Sequence, residues 1–186
     1  MQYNDKVFMS QFPIVKRFIY HLVYYREIYK VYNKHKLQCE FWTHTIDAHL
    51  LQAAILWCMV FGSDGCNPTH WKNLSKSNYD ELKTSFRNGL PANTGLTLHE
   101  YHQYWEKMIE FRNKYAAHRE LNFNKPIPNF DVALKIAYYY DNWIRGVISP
   151  DIFDEPPLQE SASKLKLRVE PLFDVLLGHA KESQQN

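Results

Sequence analysis

Six positions separate an arginine from a histidine in the stretch Phe111-Arg112-Asn113-Lys114-Tyr115-Ala116-Ala117-His118-Arg119-Glu120. Arginine carries a permanent charge on a planar fork that matches phosphate oxygens. Histidine gives and takes protons near neutral pH. Asn113, directly after the arginine, adds a neutral donor and acceptor. Arg112, Asn113 and His118 therefore hold the parts needed to bind a phosphodiester and move protons around it. They are also ordinary polar residues near a helix end. The two readings differ in geometry: a reactive pair is exposed in one cleft, whereas a structural pair is buried and satisfied.

A straight helix does not bring the pair together. At ~3.6 residues per turn, side chains six positions apart point roughly 120° away from each other. Convergence needs the helix to end between them, the arginine to reach along it, or two chains to pack this region together. Other constellations compete. His99, His102 and Glu106 share one helix face with metal-ligand spacing, and His44, Asp47 and His49 could supply further ligands. No compact Cys/His signature supports a metal, so none is expected. No serine or cysteine sits in a nucleophile elbow. Arg17 and His21, at i and i+4, form an incidental pair in a chain with 9 histidines.

The elements that position the motif are helices. Thr97-Leu98-His99-Glu100 is a capping-box pattern that opens the helix carrying it. Pro126 and Pro128 close that helix, which puts His118 at its C-terminus or just past it. Asn129 caps the following helix, from 130 to about 147. Upstream, apolar positions at three and four predict a helix from 14 to about 36, with Pro13 at its start. Its other face carries Lys16, Arg17, Arg26, Glu27, Lys30, Lys34 and Lys36; this face is either solvated or touches RNA. The most apolar helix runs from about 39 to 61 and ends at Gly62, in the place of a central bundle helix. His44, Asp47 and His49 in its first half either line a site or are buried and satisfied. A helix opening near Ser77-Asn78 is expected to break at Asn88-Gly89 and Pro91. The segment from about 158 to 179 reads as helix interrupted at Pro171, with a short alternating stretch at 164–169 that also suits a strand.

Composition sets the wider limits. The 186 residues form one domain, with a core at about 14–148 and a helical extension at about 158–180. Glycine is scarce, only 6, which favours long helices. The net charge of +2 excludes bulk attraction to nucleic acid, so any such binding is local. Three cysteines without a C-x-x-C pair suit a reducing compartment. The polar N-terminal residues carry no signal-peptide pattern, and no run approaches ~18 apolar residues. A cytoplasmic protein with no membrane contact is expected. No internal repeat is present.

The wording Arg-Asn-Lys-x-x-Ala-His, late in a long helix, resembles the HEPN superfamily, and within it the abortive-infection branch. A proline-bearing linker and another aromatic amphipathic helix follow, as in that family. The likeness covers roughly 106–145 in detail and the rest only in helix order. It implies an all-α, up-and-down helical bundle of HEPN type, here with an additional C-terminal helix. It implies a homodimer joined through the motif region. In many members it implies cleavage of single-stranded or looped RNA without metal or cofactor, in toxin or phage-defence settings and with an antitoxin as partner. Other members are non-catalytic binding or dimerisation modules. The roles implied are proton transfer for His118, charge neutralisation for Arg112 and a supporting hydrogen bond from Asn113. Lys114, Tyr115 and Arg119 would hold substrate; His44 and Asp47 lie outside the matched motif and are candidates for a supporting position behind it.

Overall fold

Six α-helices and no strand make up the described part of the chain, residues 2–65, 67–118, 120–151 and 153–182 of a computed structural model. They are α1 (Asp5–His35), α2 (Glu40–Phe61), α3 (Tyr79–Thr94), α4 (Leu98–Phe111), α5 (Phe130–Ile148) and α6 (Leu158–Glu182). A single turn of 3-10 helix, Trp71–Leu74, precedes α3, and a π-helical turn, Arg112–Ala117, extends α4. The architecture is an all-α bundle.

The core is built from the apolar stripes of all six helices. Phe18, Ile19 and Leu22 of α1 are fully covered. So are Ala53, Trp57 and Phe61 of α2, and Phe86 and Leu90 of α3. Met108 of α4 and Ile136, Tyr140 and Ile144 of α5 complete the centre. A smaller cluster, Ile28, Ile46, Val169 and Phe173, joins α6 to α1 and α2. Within it, Trp42 of α2 lies against Phe173. α2 is the one described helix long and apolar enough to cross a membrane by length and composition, yet half of that window is buried in the fold. Its apolarity on several sides follows from contacts with α1, α4 and the π-turn.

Three boundaries differ from the sequence expectation, each because tertiary contacts outweigh a local breaker. α1 starts at Asp5, not after Pro13. The Asn4 side chain accepts from the Val7 N–H, and the Asn4 N–H bonds the Leu74 carbonyl at 2.7 Å. Phe8 and Phe12 pack edge-on against Phe153, so the turns before the proline are anchored. α3 runs through Gly89 and Pro91 to Thr94 and ends at Gly95, whose φ of 75° is one that glycine adopts without strain. Gly89 is required for another reason: a Cβ there would run into the hydroxyl of Tyr139. α6 is continuous through Pro171, and 164–169 is helical. The buried positions Leu158, Ala162, Val169 and Phe173 recur at helical spacing on one face, which overrides the local alternation.

α6 is tied to α5 by a buried carboxylate. Asp141 is 2 % exposed. It accepts from the Leu158 N–H at 2.7 Å and from Arg145 Nε at 2.9 Å, capping the first turn of α6 from a neighbouring helix.

Candidate functional site

The motif is carried on a helix that is fixed at both ends. At its start, the Thr97 N–H donates to Glu100 Oε2 at 2.8 Å while the Glu100 N–H donates to Thr97 Oγ1 at 3.2 Å, a complete capping box. Along its length, α4 lies antiparallel to α2. Trp105 Nε1 donates to the Phe61 carbonyl at 2.8 Å, and the Cys58 thiol faces the Met108 carbonyl at 3.8 Å. At Arg112 the regular ladder stops. The His118 N–H reaches back five residues to the Asn113 carbonyl at 3.0 Å, so the six residues 112–117 form one widened turn. His118 then leaves with φ −129° and ψ 105°, extended backbone. π-turns of this kind recur at functional sites.

An aromatic anchor holds the widened turn. Tyr115 stacks on Phe111 with ring centroids 5.2 Å apart and contacts Phe123 at 5.7 Å. Phe111 in turn meets Phe130 at the start of α5. The Asn129 side chain accepts from the Asp131 N–H at 2.9 Å and starts that helix as the sequence indicates.

The motif side chains face different environments. Arg112 is half-buried and lines a cavity of about 270 Å³ between the C-terminal half of α2 and the loop after it, bounded also by Ile55, Cys58, Met59, Asn67 and Pro68. Its Nε is buried without a hydrogen-bond partner. Its guanidinium lies beside the Cys58 thiol, which burial pushes up to about 12 against the opposing pull of the arginine. Cys58 is therefore a protonated core thiol, not a nucleophile. Asn113 and His118 are exposed. Among the described residues, no hydrogen bond or ion pair joins the side chains of Arg112 and His118. Lys114 lies 3.6 Å from both Glu110 and Glu120, and Lys125 bonds Glu110 at 2.7 Å, holding that carboxyl below its usual range. These exposed pairs are weak and exchangeable. Arg119 lies outside the described residues.

His44 and Asp47 are both exposed. They fall on the stripe of α2 that also carries Leu51, Ile55 and Cys58, the stripe along which α4 and the π-turn run. Among the described residues, no hydrogen bond or ion pair connects either to the motif. His49 has a different fate. Its Nδ1 lies 2.9 Å from Nδ1 of His21, and Tyr24 packs against its ring. Burial lowers the pKa of both imidazoles, and one neutral ring donates its Nδ1–H to the Nδ1 of the other between α1 and α2. His21 thus pairs across helices and not with Arg17. His99 bonds Gln103 and His102 stacks on Trp105 beside Glu106. Among the described residues no three His, Cys, Asp or Glu side chains converge around one point.

Part of the basic face of α1 is occupied. Lys16 bonds Glu155 at 2.7 Å, Arg26 pairs with Asp131, and Lys30 lies near Glu27 and Glu170. Arg17, Lys34 and Lys36 remain exposed. The cavity residues Met59 and Asn67 carry no motif and are absent from any sequence reading of the site. Cys58 registers in the sequence only as one more apolar position on α2. Scans of this chain against protein-family models, curated proteins and solved structures gave no match.

Proposed function

We propose that the chain is a HEPN-type endoribonuclease that cleaves single-stranded or looped RNA without metal, leaving a 2′,3′-cyclic phosphate. The observation that carries this reading is the π-turn. Arg112 at its start lines a cavity, while Asn113 within it and His118 directly after it are exposed to solvent. In the reaction, the 2′-hydroxyl oxygen attacks the adjacent phosphorus as its proton leaves to a base. The bond to the 5′-oxygen breaks as that oxygen takes up a proton. His118 serves as the proton carrier, and Arg112 offsets the charge growing on the phosphorus oxygens. Asn113 orients one of them by a hydrogen bond. Unpaired RNA is preferred because its backbone can align attacking and leaving oxygens.

A homodimer through the motif region completes the proposal. Leu121 is 99 % exposed and Ile127 51 % exposed in the segment following the motif, and Met59 flanks the Arg112 cavity. Apolar side chains so placed are suited to burial against a second copy, which would add a second Arg112 and His118 to one cleft. The reading places the protein in the cytoplasm, with an antitoxin among its partners.

The test is purified protein with mixed RNA in excess EDTA. Activity in the wild type should fall roughly 10²–10⁴-fold in His118→Ala, if it moves a proton. Arg112→Ala should lose about 10²–10³-fold. Activity abolished by EDTA, or retained in both variants, rejects the mechanism. A second reading, a non-catalytic binding module of the same fold, draws on the contact between Arg112 and Cys58, which gives the arginine a structural neighbour. Under that reading no RNA is cut, and Arg112→Ala lowers thermal stability.

A further inference from the structure

Two histidines meet between α1 and α2, on the side of α2 away from the motif. His49 lies roughly opposite the stripe of Leu51, Ile55 and Cys58 that faces the π-turn. His21 comes from the middle of α1. Their Nδ1 atoms are 2.9 Å apart and their ring centroids 5.0 Å, with 48° between the ring planes. Tyr24 closes one side, its ring 5.1 Å from that of His49 and 6.4 Å from that of His21. Both imidazoles are half-buried, so packing holds each ring while part of its surface stays in solvent.

The separation is that of two ligands of one metal ion. Metal–imidazole bonds are about 2.0–2.1 Å long. Two such nitrogens 2.9 Å apart subtend about 90° at the metal, the angle between neighbouring ligands in a tetragonal complex. Tetrahedral zinc needs them about 3.3 Å apart, an opening of roughly 0.4 Å. Tetragonal nitrogen donors suit copper(II) and nickel(II), which also stand high in the divalent affinity series. Coordination tilts the rings until both lone pairs converge, which brings the centroids from 5.0 Å to about 4.5 Å. The ring that donates its Nδ1–H gives up that proton and takes one at Nε2, a change of tautomer with no net proton release. Neither Nε2 has a competing hydrogen bond among the described residues.

The surroundings set the strength. Arg17, one turn before His21, opposes a cation, and among the described residues no carboxylate is paired with either ring. His99 and His102, the other closely spaced histidines, are spent on Gln103 and Trp105.

We propose that His21 and His49 form a two-histidine site for copper(II) or nickel(II), a clip joining α1 to α2 with water on the remaining positions. A bound ion stabilises the native bundle, because folding is what brings residues 28 positions apart to one point. The site is separate from the proposed nuclease chemistry, which uses no metal.

The test is calorimetric titration of the full chain with copper(II) and nickel(II), beside zinc and magnesium, in a buffer free of amines and thiols. Copper and nickel should bind, zinc more weakly than copper, and magnesium not at all. At about a hundredfold excess over Kd, copper should raise the melting temperature by roughly 5–10 °C. His21→Gln and His49→Gln, each checked for folding by circular dichroism, should weaken copper by about tenfold or more and remove that rise. Arg17→Gln should tighten copper by about two- to fivefold, because a like charge is gone. In the unsubstituted protein, paramagnetic copper(II) should broaden the amide NMR signals around His21 and His49 before those around the other histidines. Broadening centred on other histidines, unchanged copper affinity in both glutamine variants, or no binding of copper or nickel up to about 1 mM overturns the proposal.

Discussion

Acidification should destabilise the fold through His70, and the size of the effect follows from its surroundings. His70 sits at the start of the 3-10 turn and is 2 % exposed. The neutral ring is the form that fits: Nε2–H donates to the Gly62 carbonyl and Nδ1 accepts from the Lys72 N–H. A second proton on Nδ1 would break the latter bond and put a cation beside the Lys72 ammonium. Burial first, and Lys72 second, push the pKa down from 6.5 to about 4. As the folded value is the lower one, the unfolded chain takes up the proton first as pH falls. Stability is thus fully present above 6.5 and is lost progressively as pH drops towards 4, with no further loss below. At about pH 5 the unfolded imidazole is almost wholly protonated and the folded one almost wholly neutral, a loss of about 2 kcal/mol. For a chain of this size that lowers the melting temperature by roughly 4–8 °C. The assay is urea or thermal unfolding at about pH 7.5 and about pH 5, compared with His70→Gln. The glutamine amide can still donate to the Gly62 carbonyl but does not titrate. The variant should be less stable at neutral pH yet lose about 2 kcal/mol less on acidification. Equal pH dependence in the two proteins would refute the reasoning.

Three further outcomes are expected. Gly89→Ala, which in an ordinary helix is stabilising, should here cost about 1–3 kcal/mol, because the new methyl meets Tyr139; a neutral result by chemical denaturation would show that Tyr139 can move. Asp141→Ala should cost about 3–5 kcal/mol by stranding Arg145 and the Leu158 N–H, and hydrogen exchange should show α6 opening before the rest of the bundle. His21 and His49, whose pKa values burial lowers, add to the acid sensitivity with the same sign as His70. Replacing His49 by Gln should reduce the proton uptake on unfolding measured near pH 6 by calorimetry in buffers of different ionisation enthalpy.

The helices were legible wherever the signal is local. Caps at Thr97 and Asn129 rest on hydrogen bonds within three residues, so both appear in the chain as written; the helix itself ends at Ala117, ahead of the prolines, and its end is not set by them. The apolar stripes of α2 and α5 identify core positions by period alone. Local signals misled where distant contacts dominate. Pro13 does not begin α1, because Asn4 and Phe8 are held by residues far along the chain. Pro171 and the alternation at 164–169 do not interrupt α6, because its buried face is already committed to α1 and α2.

The candidate site divides along the same line. Residue order alone determined which groups are present: an arginine, an asparagine and a histidine on one helix end, with prolines beyond them. The widened turn is a different matter. It depends on the stack of Tyr115 on Phe111 and Phe123, and on the packing of α4 against α2. Which groups meet was decided only by tertiary structure. Arg112 faces Cys58 across a helix–helix contact, and His21 finds His49. Periodicity specifies the face on which a side chain lies. It carries no information on the neighbouring helix, because that contact is set by how whole faces pack to exclude water from the core.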